Sequence, residues 1–472
     1  MDFQHLRLNR EQGVPIYLQL YRRYRDAIAG GQLQPGDRVP SVRSLASALN
    51  LARGTVETAY QMLVGEGYFV TRGAAGTVVA PGLANLPEVH EARSAVSAAR
   101  CPAQSPGQPG GVRPFQLGLP ALDAFPRKTW VRLAGRSLRT LDASAMSYPD
   151  VAGYEPLRRA IASYLGISRG IACSHEQVFV TAGYRGALAL VCRTLLQSGD
   201  VGWYEDPGYL FARQFLTQAG MRLAAVPVDD EGLNVEYGQQ HAAAARFAVV
   251  TPTHQSPLGV ALSLPRRLAL LEWASRCQAW VIEDDYDSEF RYHGKPLPAL
   301  KSLDRGGRVL YTGTFSKVLF PGLCLAYLVV PEDQIDRFKQ AACHLPGPGS
   351  ILPQAMVADF MEQGHFARHL RKMRALYAER RAYLVNALTD RLGDALHVVP
   401  QAGGIHVLAH LGNQYHDERL ATTAQTDGLD VVALNRWRES VASGGGLLMG
   451  FANFATAEAA AVAVARLAKV FR

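Results

Sequence analysis

Apolar residues recur at helical spacing near the N-terminus of the chain. Three stretches show the i, i+3, i+4, i+7 pattern of an amphipathic helix, and they start at Ile16, Val42 and Val56. A Pro-Gly-Asp turn at 35–37 separates the first two stretches, and Ser41 is positioned as an N-cap of the second helix. Two short β-like runs follow at 68–71 and 77–80, joined by a glycine-rich turn. The pattern predicts three helices and a hairpin over residues 1–80, as in a winged helix-turn-helix.

The pattern changes twice more along the chain. Between residues 81 and 112 the periodicity stops, and Pro, Ala, Ser and Gly predict a flexible linker. From 113 to 472, buried-type strands alternate with helical stretches such as 186–196 and 265–277. The strand-like runs include 177–181, 246–251, 279–284, 308–313 and 325–330. This alternation predicts an α/β domain with a mostly parallel sheet covered on both faces, and ligand chemistry at the carboxyl ends of its strands.

Composition excludes several classes of protein. Hydrophobic residues make up 48% and charged residues 19% of the 472, which excludes a disordered, fibrous or collagen-like chain. Residues 1–13 lack the apolar stretch of a secretory signal, and no uncharged apolar run approaches the roughly 18 residues of a membrane span. The six cysteines form no CxxC pair, which argues against a zinc site or a disulfide framework. We therefore expect a cytoplasmic protein with no membrane partner and no metal.

The charge balance bears on two functions. The net charge is +8, which permits nucleic-acid binding without establishing it. Of the 49 basic residues only seven are lysines, at 128, 295, 301, 317, 339, 372 and 469. A mechanism that needs a Schiff-base lysine therefore has few candidates.

An ordered set of motifs in the first domain points to DNA. It comprises Leu33-x-Pro35-Gly36-Asp37-Arg38-Val39-Pro40-Ser41-x-Arg43-x-Leu45-Ala46 and Arg53-x-Thr55-Val56-x-x-Ala59-Tyr60-x-x-Leu63-x-x-x-Gly67-Tyr68. This segment resembles the DNA-binding domain of GntR-type regulators. Arg43, Arg53 and Thr55 stand at helix starts, from which side chains reach phosphates and base edges of a double-stranded operator. Arg72 in the hairpin turn is a further DNA-binding candidate. Ala52 departs from the family, which has a serine cap there.

Two strand ends in the large segment carry residues suited to pyridoxal phosphate. This cofactor needs a lysine for a Schiff base, a carboxylate at its pyridine nitrogen, and donors around its phenolate and phosphate. Lys317 closes the run that follows one strand, and Asp284 closes another strand 33 residues earlier. Tyr286 is placed to donate to the phenolate oxygen. A Ser-Lys pair after a strand is, by itself, more often an ordinary surface lysine.

Further blocks extend the resemblance over nearly the whole chain outside the linker. They are Phe115-x-x-Gly118-x-Pro120, Tyr148-x-Asp150-x-x-Gly153-Tyr154, Val180–Gly183, Tyr204–Tyr209, Thr251–Gln255, Glu283–Phe290, Gly313–Lys317 and Gly403–His406. Together with the winged helix they resemble MocR-type regulators, which fuse a GntR-type domain to a fold-type I aminotransferase-like domain. The resemblance implies a pyridoxal 5'-phosphate cofactor and a homodimer.

The resemblance also implies roles for single residues. Lys317 is the expected Schiff-base lysine, Asp284 the partner of the pyridine nitrogen and Tyr286 the phenolate donor. Tyr209 is expected to stack on the cofactor ring. His254 is expected in the cofactor pocket and Ser316 near the phosphate.

Three departures bear on the cofactor chemistry. The family writes Pro-Gly-Leu-Arg after the lysine turn, with that arginine near the phosphate, whereas this chain has Cys324. It has Arg185-Gly186 where a glutamine pair is usual. We predict that Arg185 partly replaces the missing phosphate arginine; the alternative is that it points to solvent. No arginine is securely placed for a substrate carboxylate, although Arg436 and Arg438 lie in the right region of the chain.

Three functions remain open on the sequence. The first is a DNA-binding transcription regulator whose aminotransferase-like domain binds pyridoxal phosphate, with or without an amino acid, as effector and does not turn over substrate. The second is an active aminotransferase with a DNA-binding appendage. The third is a sensor whose second domain has lost the cofactor and only holds the dimer together. We expect the first.

Overall fold

The computed structural model describes residues 8–9, 13–73, 76–82, 111–142, 147–292, 294, 297–399, 401–440 and 444–471. It divides into two compact units, residues 1–101 and 102–472. Most of the predicted linker, residues 83–110, lies outside the described residues, as do residues 74 and 75 of the hairpin turn.

The first unit has the predicted winged helix-turn-helix fold. Its helices are α1 (Ile16–Ala29), α2 (Val42–Ala48) and α3 (Arg53–Gly65), and its strands are β1 (Phe69–Thr71) and β2 (Thr77–Val79). The strands pair antiparallel, with Phe69 opposite Val79. The three predicted stripes meet in one core, where the rings of Tyr24, Tyr60 and Phe69 pack edge to face with centroids 5.2–5.7 Å apart. The hydroxyl of Ser41 accepts a 3.1 Å bond from the Ser44 amide and caps α2, as predicted.

The second unit is built on an eight-stranded sheet. Its strands are β3 (Val178–Thr181), β4 (Val201–Asp206), β5 (Arg222–Asp229), β6 (Gly232–Leu233), β7 (Phe247–Val250), β8 (Trp280–Asp285), β9 (Val309–Thr314) and β10 (Ala326–Val329), in the order β3-β10-β9-β8-β7-β4-β5-β6. The neighbouring pairs from β9 through β5 are parallel, whereas β10 runs antiparallel to both its neighbours and β6 runs antiparallel to β5. The mostly parallel α/β sheet is therefore confirmed.

Helices and a second sheet complete this unit. The helices are α4 (Arg127–Thr140), α5 (Glu155–Arg169), α6 (Gly183–Leu195), α7 (Leu210–Gln218), α8 (Val235–His241), α9 (Leu264–Cys277), α10 (Ile335–Ala342), α11 (Ile351–Glu362), α12 (His365–Leu392), α13 (Asp417–Thr426) and α14 (Ala457–Val470). The strands are β11 (Leu396–Val398), β12 (His406–Leu411), β13 (Val432–Ala433) and β14 (Gly446–Gly450), all antiparallel. Apolar residues of both sheets and of α12 and α14 share one large core.

Helix α6 begins three residues before the predicted start at 186. Gly183, with φ of +76°, opens the helix, and the Thr181 hydroxyl donates to the Gly183 carbonyl at 3.1 Å. Arg185 therefore lies inside the first turn of the helix rather than ahead of it. The short apolar signal of Ala187–Leu196 did not reveal these first three residues, which are polar or small.

Candidate functional site

The predicted DNA-binding residues lie at the exposed starts of two packed helices. Arg53 is the first residue of α3 and is exposed, Thr55 is half-buried two residues later, and Arg43 is the exposed second residue of α2. The opposite face of α3 is buried through Val56, Ala59, Tyr60 and Leu63. A recognition helix reads the major groove with such N-terminal residues. The geometry therefore leaves these three side chains available to DNA.

The hairpin brings a further arginine to this unit's surface. Arg72 is exposed, and its amide donates to the Gly76 carbonyl at 2.8 Å. The guanidinium of Arg38 lies against Gly76, since a Cβ there would be 3.2 Å from its Nη2 atom. Arg38 was not among the predicted DNA-binding residues, although it belongs to the quoted GntR-type motif. It places a second exposed cation beside the wing.

Helix α3 begins without a side-chain cap. Ala52 occupies the N-cap position and makes no side-chain hydrogen bond, as its methyl group requires. The absent serine or threonine costs about 1 kcal/mol of helix stability. The helix nevertheless forms, because its buried face is completed by the core of the unit.

Lys317 lies three residues beyond the end of β9, and its side chain packs against Gly118. Its Nζ atom donates to the Gly118 carbonyl at 3.0 Å, and a Cβ at Gly118 would lie 2.4 Å from the same atom. Burial lowers the pKa of Lys317, while the charges of Asp287 and Asp284 raise it. A lysine with a lowered pKa has more of its amine in the neutral, nucleophilic form.

Asp284 stands one residue before the end of β8 and is buried. Burial raises its pKa to about 8, the nearby Tyr184 hydroxyl opposes the rise, and the charges of neighbouring carboxylates add to it. Such a carboxyl is stabilised in its ionised form by a protonated nitrogen placed beside it. A pyridine ring supplies that nitrogen.

His254 joins two residues that follow β8. Its Nδ1 atom lies 2.9 Å from the Tyr286 hydroxyl and 3.1 Å from Oδ1 of Asp287. An Nδ1–H donated to the carboxylate leaves Nε2 of His254 as a buried acceptor. Gly404 packs on this ring, since a Cβ there would lie 2.3 Å from Cε1. Asp287 and Gly404 were not predicted as site residues, although both lie in the quoted motif blocks.

Several buried polar atoms around these residues lack partners. Within the described residues, the Tyr184 hydroxyl, Nε2 of His254 and Oδ2 of Asp287 find no hydrogen-bond partner of normal geometry. Buried polar groups left unpaired cost about 1–3 kcal/mol each, so such a cluster indicates a bound polar group. The set of one lysine, buried carboxylates, a histidine and tyrosines fits pyridoxal phosphate.

Tyr209 occupies the edge of this set as the N-cap residue of α7. Its ring centroid lies 6.3 Å from that of Tyr184 and 5.7 Å from that of Trp437. Burial and the charge of Asp284 raise the pKa of Tyr209, whereas the charge of Arg185 lowers it. The tyrosine predicted to stack is thus electrostatically coupled to the predicted carboxylate and to Arg185.

The three positions considered for the cofactor phosphate are exposed or half-buried. Arg185 is exposed in the first turn of α6, where the helix dipole favours an anion. Ser316 is half-buried, and its amide donates to the Thr314 hydroxyl oxygen at 3.1 Å. Cys324 is exposed with φ of +49°, and its Sγ lies 3.6 Å from the Pro321 carbonyl.

A buried ion pair supports the strand that carries Asp284. Nη2 of Arg169 lies 2.6 Å from Oδ2 of Asp285, which also accepts from the Tyr311 hydroxyl at 2.6 Å. Successive side chains of a strand point to opposite faces, so anchoring Asp285 behind the sheet fixes the direction of Asp284. Sequence reasoning missed Arg169, which lies at the end of a helix 116 residues earlier.

The two arginines considered for a substrate carboxylate are placed differently from each other. Arg436 is exposed. Arg438 donates to Oδ1 of Asn435 at 3.2 Å and to the Gly444 carbonyl at 2.9 Å. These contacts engage Arg438 in its own loop.

Two features are absent from the described part of the chain. No helix there has both the length and the apolar composition to cross a membrane. No group of three or more His, Cys, Asp or Glu side chains is arranged there to hold a metal ion.

Comparison with known families divides the chain as the geometry does. Residues 124–438 match the aminotransferase class I and II family. Residues 16–79 match the bacterial regulatory proteins of the gntR family.

Similar curated proteins align over both parts of the chain. The chain is 39% identical over 440 residues to the probable rhizopine catabolism regulatory protein MocR of Rhizobium meliloti, covering 91% of this chain and 88% of that protein. It is 34% identical to the pyridoxine biosynthesis transcriptional regulator PdxR of Corynebacterium glutamicum, covering 94% and 93%.

Similar solved structures cover the second unit. An archaeal alanine:glyoxylate aminotransferase matches with a TM-score of 0.71 at 25% identity, covering 77% of this chain and 91% of that one. The α-aminoadipate aminotransferase LysN of Thermus thermophilus, solved with N-(5'-phosphopyridoxyl)-L-leucine, matches with a TM-score of 0.68 at 28% identity, covering 75% and 91%.

Proposed function

The chain belongs to the MocR-type regulators, with a gntR-family domain followed by an aminotransferase class I and II domain, and we propose that it regulates transcription in response to pyridoxal phosphate. Its first unit binds a double-stranded DNA operator, and its second unit binds the cofactor as effector, alone or with an amino acid. The observation that carries the effector part of the proposal is the setting of Lys317: its Nζ atom donates to the Gly118 carbonyl at 3.0 Å, and burial lowers its pKa while the charges of Asp287 and Asp284 raise it.

Different residues of the second unit are assigned to different parts of the cofactor. Pyridoxal phosphate, when bound, would supply an aldehyde that can form a Schiff base with the lysine amine or with the amino group of a free amino acid. Burial keeps the Lys317 amine reactive, and Asp284 holds a proton at the pyridine nitrogen. Tyr286 is assigned to the phenolate oxygen, and its hydroxyl lies 2.9 Å from Nδ1 of His254, which also contacts Oδ1 of Asp287. Tyr209 and Ser316 are assigned to the ring face and to the phosphate.

The aminotransferase alternative differs in one requirement. Transamination needs a bidentate anchor for a substrate carboxylate, and Arg438 is engaged by Asn435 and Gly444. The curated relatives with both domains are named as regulators. These points favour sensing over turnover.

We further propose that two copies act together in the cytoplasm. Tyr148 and Ile167 of the second unit are 98% and 91% exposed. A second copy covering such side chains removes apolar surface from water. Sedimentation of the purified chain tests this, and a monomer at working concentrations would contradict it.

One spectroscopic experiment tests the main proposal. We expect purified protein to show an absorbance band of bound cofactor that borohydride bleaches, and amino acids that act as effectors to shift that band. Operator binding measured with and without cofactor must then differ. Steady-state release of a keto acid from amino donors would instead support the aminotransferase, and a protein without any bound cofactor would support a platform only.

A further inference from the structure

Two helices of the second unit present basic side chains on one face each. On α4, Lys128, Arg132, Arg136 and Arg139 are all exposed. At about 100° per residue these positions fall within roughly 80° of the helix circumference, along about 16 Å of its length. On α12, His365, Arg368 and Lys372 share the i, i+3, i+7 spacing of one face. We call these seven residues the basic patch.

A single histidine joins the two stripes. Nε2 of His365 lies 2.9 Å from Nη2 of Arg132, and its Nδ1 lies 2.9 Å from Nη2 of Arg368. A neutral imidazole accepts through one nitrogen and donates through the other, whereas a guanidinium only donates. In one of the two contacts an imidazole N–H therefore faces a guanidinium N–H, and neither can accept. An anion bound at this point would accept hydrogen bonds from both donors.

The surroundings of His365 favour its neutral form. Burial, followed by the charges of Arg368 and Arg132, lowers the pKa of His365. Arg368 is held in place by bonds to the Gly364 and Gln363 carbonyls, both at 3.2 Å. The N-terminus of the 28-residue helix α12 adds its positive end at the same place.

Acidic side chains leave most of this charge uncompensated. Arg136 lies 3.7 Å from Oδ2 of Asp359. Among the described residues, no ion pair within 4 Å involves Lys128, Arg139 or Lys372. The patch therefore faces solvent as a surplus of positive charge. A self-complementary contact between two copies would bring these like charges together, which argues against a second copy as its occupant.

We propose that the basic patch binds phosphates of the DNA backbone, outside the sequence read by the winged helix. Its length suits several phosphates of one strand rather than a single small anion, and exposed arginines and lysines are the side chains that neutralise DNA phosphates. The inference rests on the DNA-binding part of the proposed function. It makes the aminotransferase-like unit a DNA-contacting surface in addition to an effector site.

The test compares two DNA fragments and two matched double variants of the full chain. One fragment carries the operator with flanking DNA on both sides, and the other is trimmed to the operator's base-specific sequence. The double variant Arg132→Gln/Arg368→Gln removes two charges of the patch. The control Arg276→Gln/Arg419→Gln removes two charges from exposed arginines on α9 and α13. Dissociation constants are measured across a series of salt concentrations.

On the long fragment, we expect the patch variant to reduce the magnitude of the negative slope of the log association constant against log salt by about 1.8, or about 0.9 per lost phosphate contact. On the trimmed fragment, the slope should equal that of the parent, and the control should match the parent on both. Equal slopes for parent and patch variant on the long fragment would overturn the inference. So would an equal loss on both fragments, or a loss in the control.

A third arm separates DNA from free phosphate. Inorganic phosphate alone is titrated while the His365 ring is followed by NMR. Displacement of phosphate by the long fragment supports the proposal, whereas phosphate binding with an unchanged long-fragment slope shows an anion site only. If neither the parent nor any variant binds the trimmed fragment, the proposed DNA-binding function is wrong, and this inference is wrong with it.

Discussion

The side-chain amine of Lys317 donates a 3.0 Å hydrogen bond to the backbone carbonyl of Gly118, which lies 199 residues earlier in the chain. Gly118 has φ of +75°, a backbone conformation that residues other than glycine adopt only with strain. The lysine occupies the space that a side chain at Gly118 would take, because a Cβ there would lie 2.4 Å from Nζ. A glycine at this place is therefore part of the lysine's setting.

We expect Gly118→Ala to weaken cofactor binding while the fold is retained. The added methyl group displaces Nζ, and the positive φ adds strain of about 1–3 kcal/mol. Absorbance titration with pyridoxal phosphate measures the first effect and thermal unfolding the second. Gly322→Ala is the matched control, since its Cβ would meet nothing closer than 3.8 Å. Parent-like cofactor affinity in Gly118→Ala would show that the lysine tolerates displacement.

Lys317→Ala should abolish the borohydride-sensitive absorbance and leave the far-ultraviolet circular dichroism unchanged. The side chain is the only amine we assign to the cofactor's aldehyde, and its removal takes away one hydrogen bond. Lys469→Ala, which changes an exposed lysine on α14, should retain the absorbance. A borohydride-reducible adduct that persists in Lys317→Ala contradicts the assignment.

The stability of the cofactor-free protein should fall as pH rises toward 8. Burial raises the pKa of Asp284 from about 3.8 to about 8, so the folded state holds a proton that the unfolded chain has released. Its contribution to stability is complete below the unfolded pKa and is lost as pH rises through the folded pKa. Glu205 and Glu283, with pKa values raised to about 7 mainly by burial, act in the same direction.

Thermal unfolding midpoints measured across this pH range check the effect. Asp284→Asn should flatten the fall in stability between about pH 4 and pH 8 in the cofactor-free protein, most clearly between pH 7 and 8, since the amide does not titrate. Bound cofactor should flatten it as well, because a protonated pyridine nitrogen compensates the carboxylate. Identical profiles for the parent and Asp284→Asn would mean that Asp284 is ionised without the cofactor.

Arg43→Ala and Arg53→Ala should weaken operator binding and leave the cofactor spectrum unchanged. Both side chains are exposed at the starts of α2 and α3. A lost phosphate contact lowers the salt slope by about one unit, whereas a lost base contact costs about 1–3 kcal/mol and relaxes specificity. Arg22→Ala, an exposed arginine on α1, is the control. Parent-like binding by both variants to DNA upstream of the chain's own gene argues against this docking.

Sequence periodicity predicted the elements because it reports local burial. The stripes around Val42 and Val56 and the strands ending near Asp284 and before Lys317 each reflect a repeating environment within a few residues. The start of α6 lacked such a signal, because its first residues are Gly183, Tyr184 and Arg185.

Contacts between distant segments were beyond the same reasoning. The Lys317–Gly118 bond and the Arg169–Asp285 pair join segments separated by 199 and 116 residues, and periodicity carries no information on which segments meet. Family motifs marked Gly118 without giving its role, and they did not mark Arg169. Its role emerges only from the packing of α5 behind the sheet.

We expect Arg185→Gln to weaken cofactor binding, because the phosphate of the cofactor carries nearly two negative charges and needs a cation. Cys324 stands where the family has its phosphate arginine, and its thiol supplies no charge of that sign. Arg185 lies in the first turn of α6, where amides and the helix dipole also favour an anion, and its charge acts on the neighbouring Tyr209.

The rescue experiment separates charge from packing. Cys324→Arg placed in the Arg185→Gln background should restore part of the lost affinity, whereas Cys324→Leu should not, because only the arginine returns the missing charge. Cys324 is exposed, so neither change opens a cavity in the core. Affinities follow from absorbance titrations at several salt concentrations, and the loss in Arg185→Gln should shrink as salt rises. An Arg185→Gln protein that binds the cofactor as tightly as the parent means that Arg185 points to solvent and that backbone amides and Ser316 hold the phosphate without it.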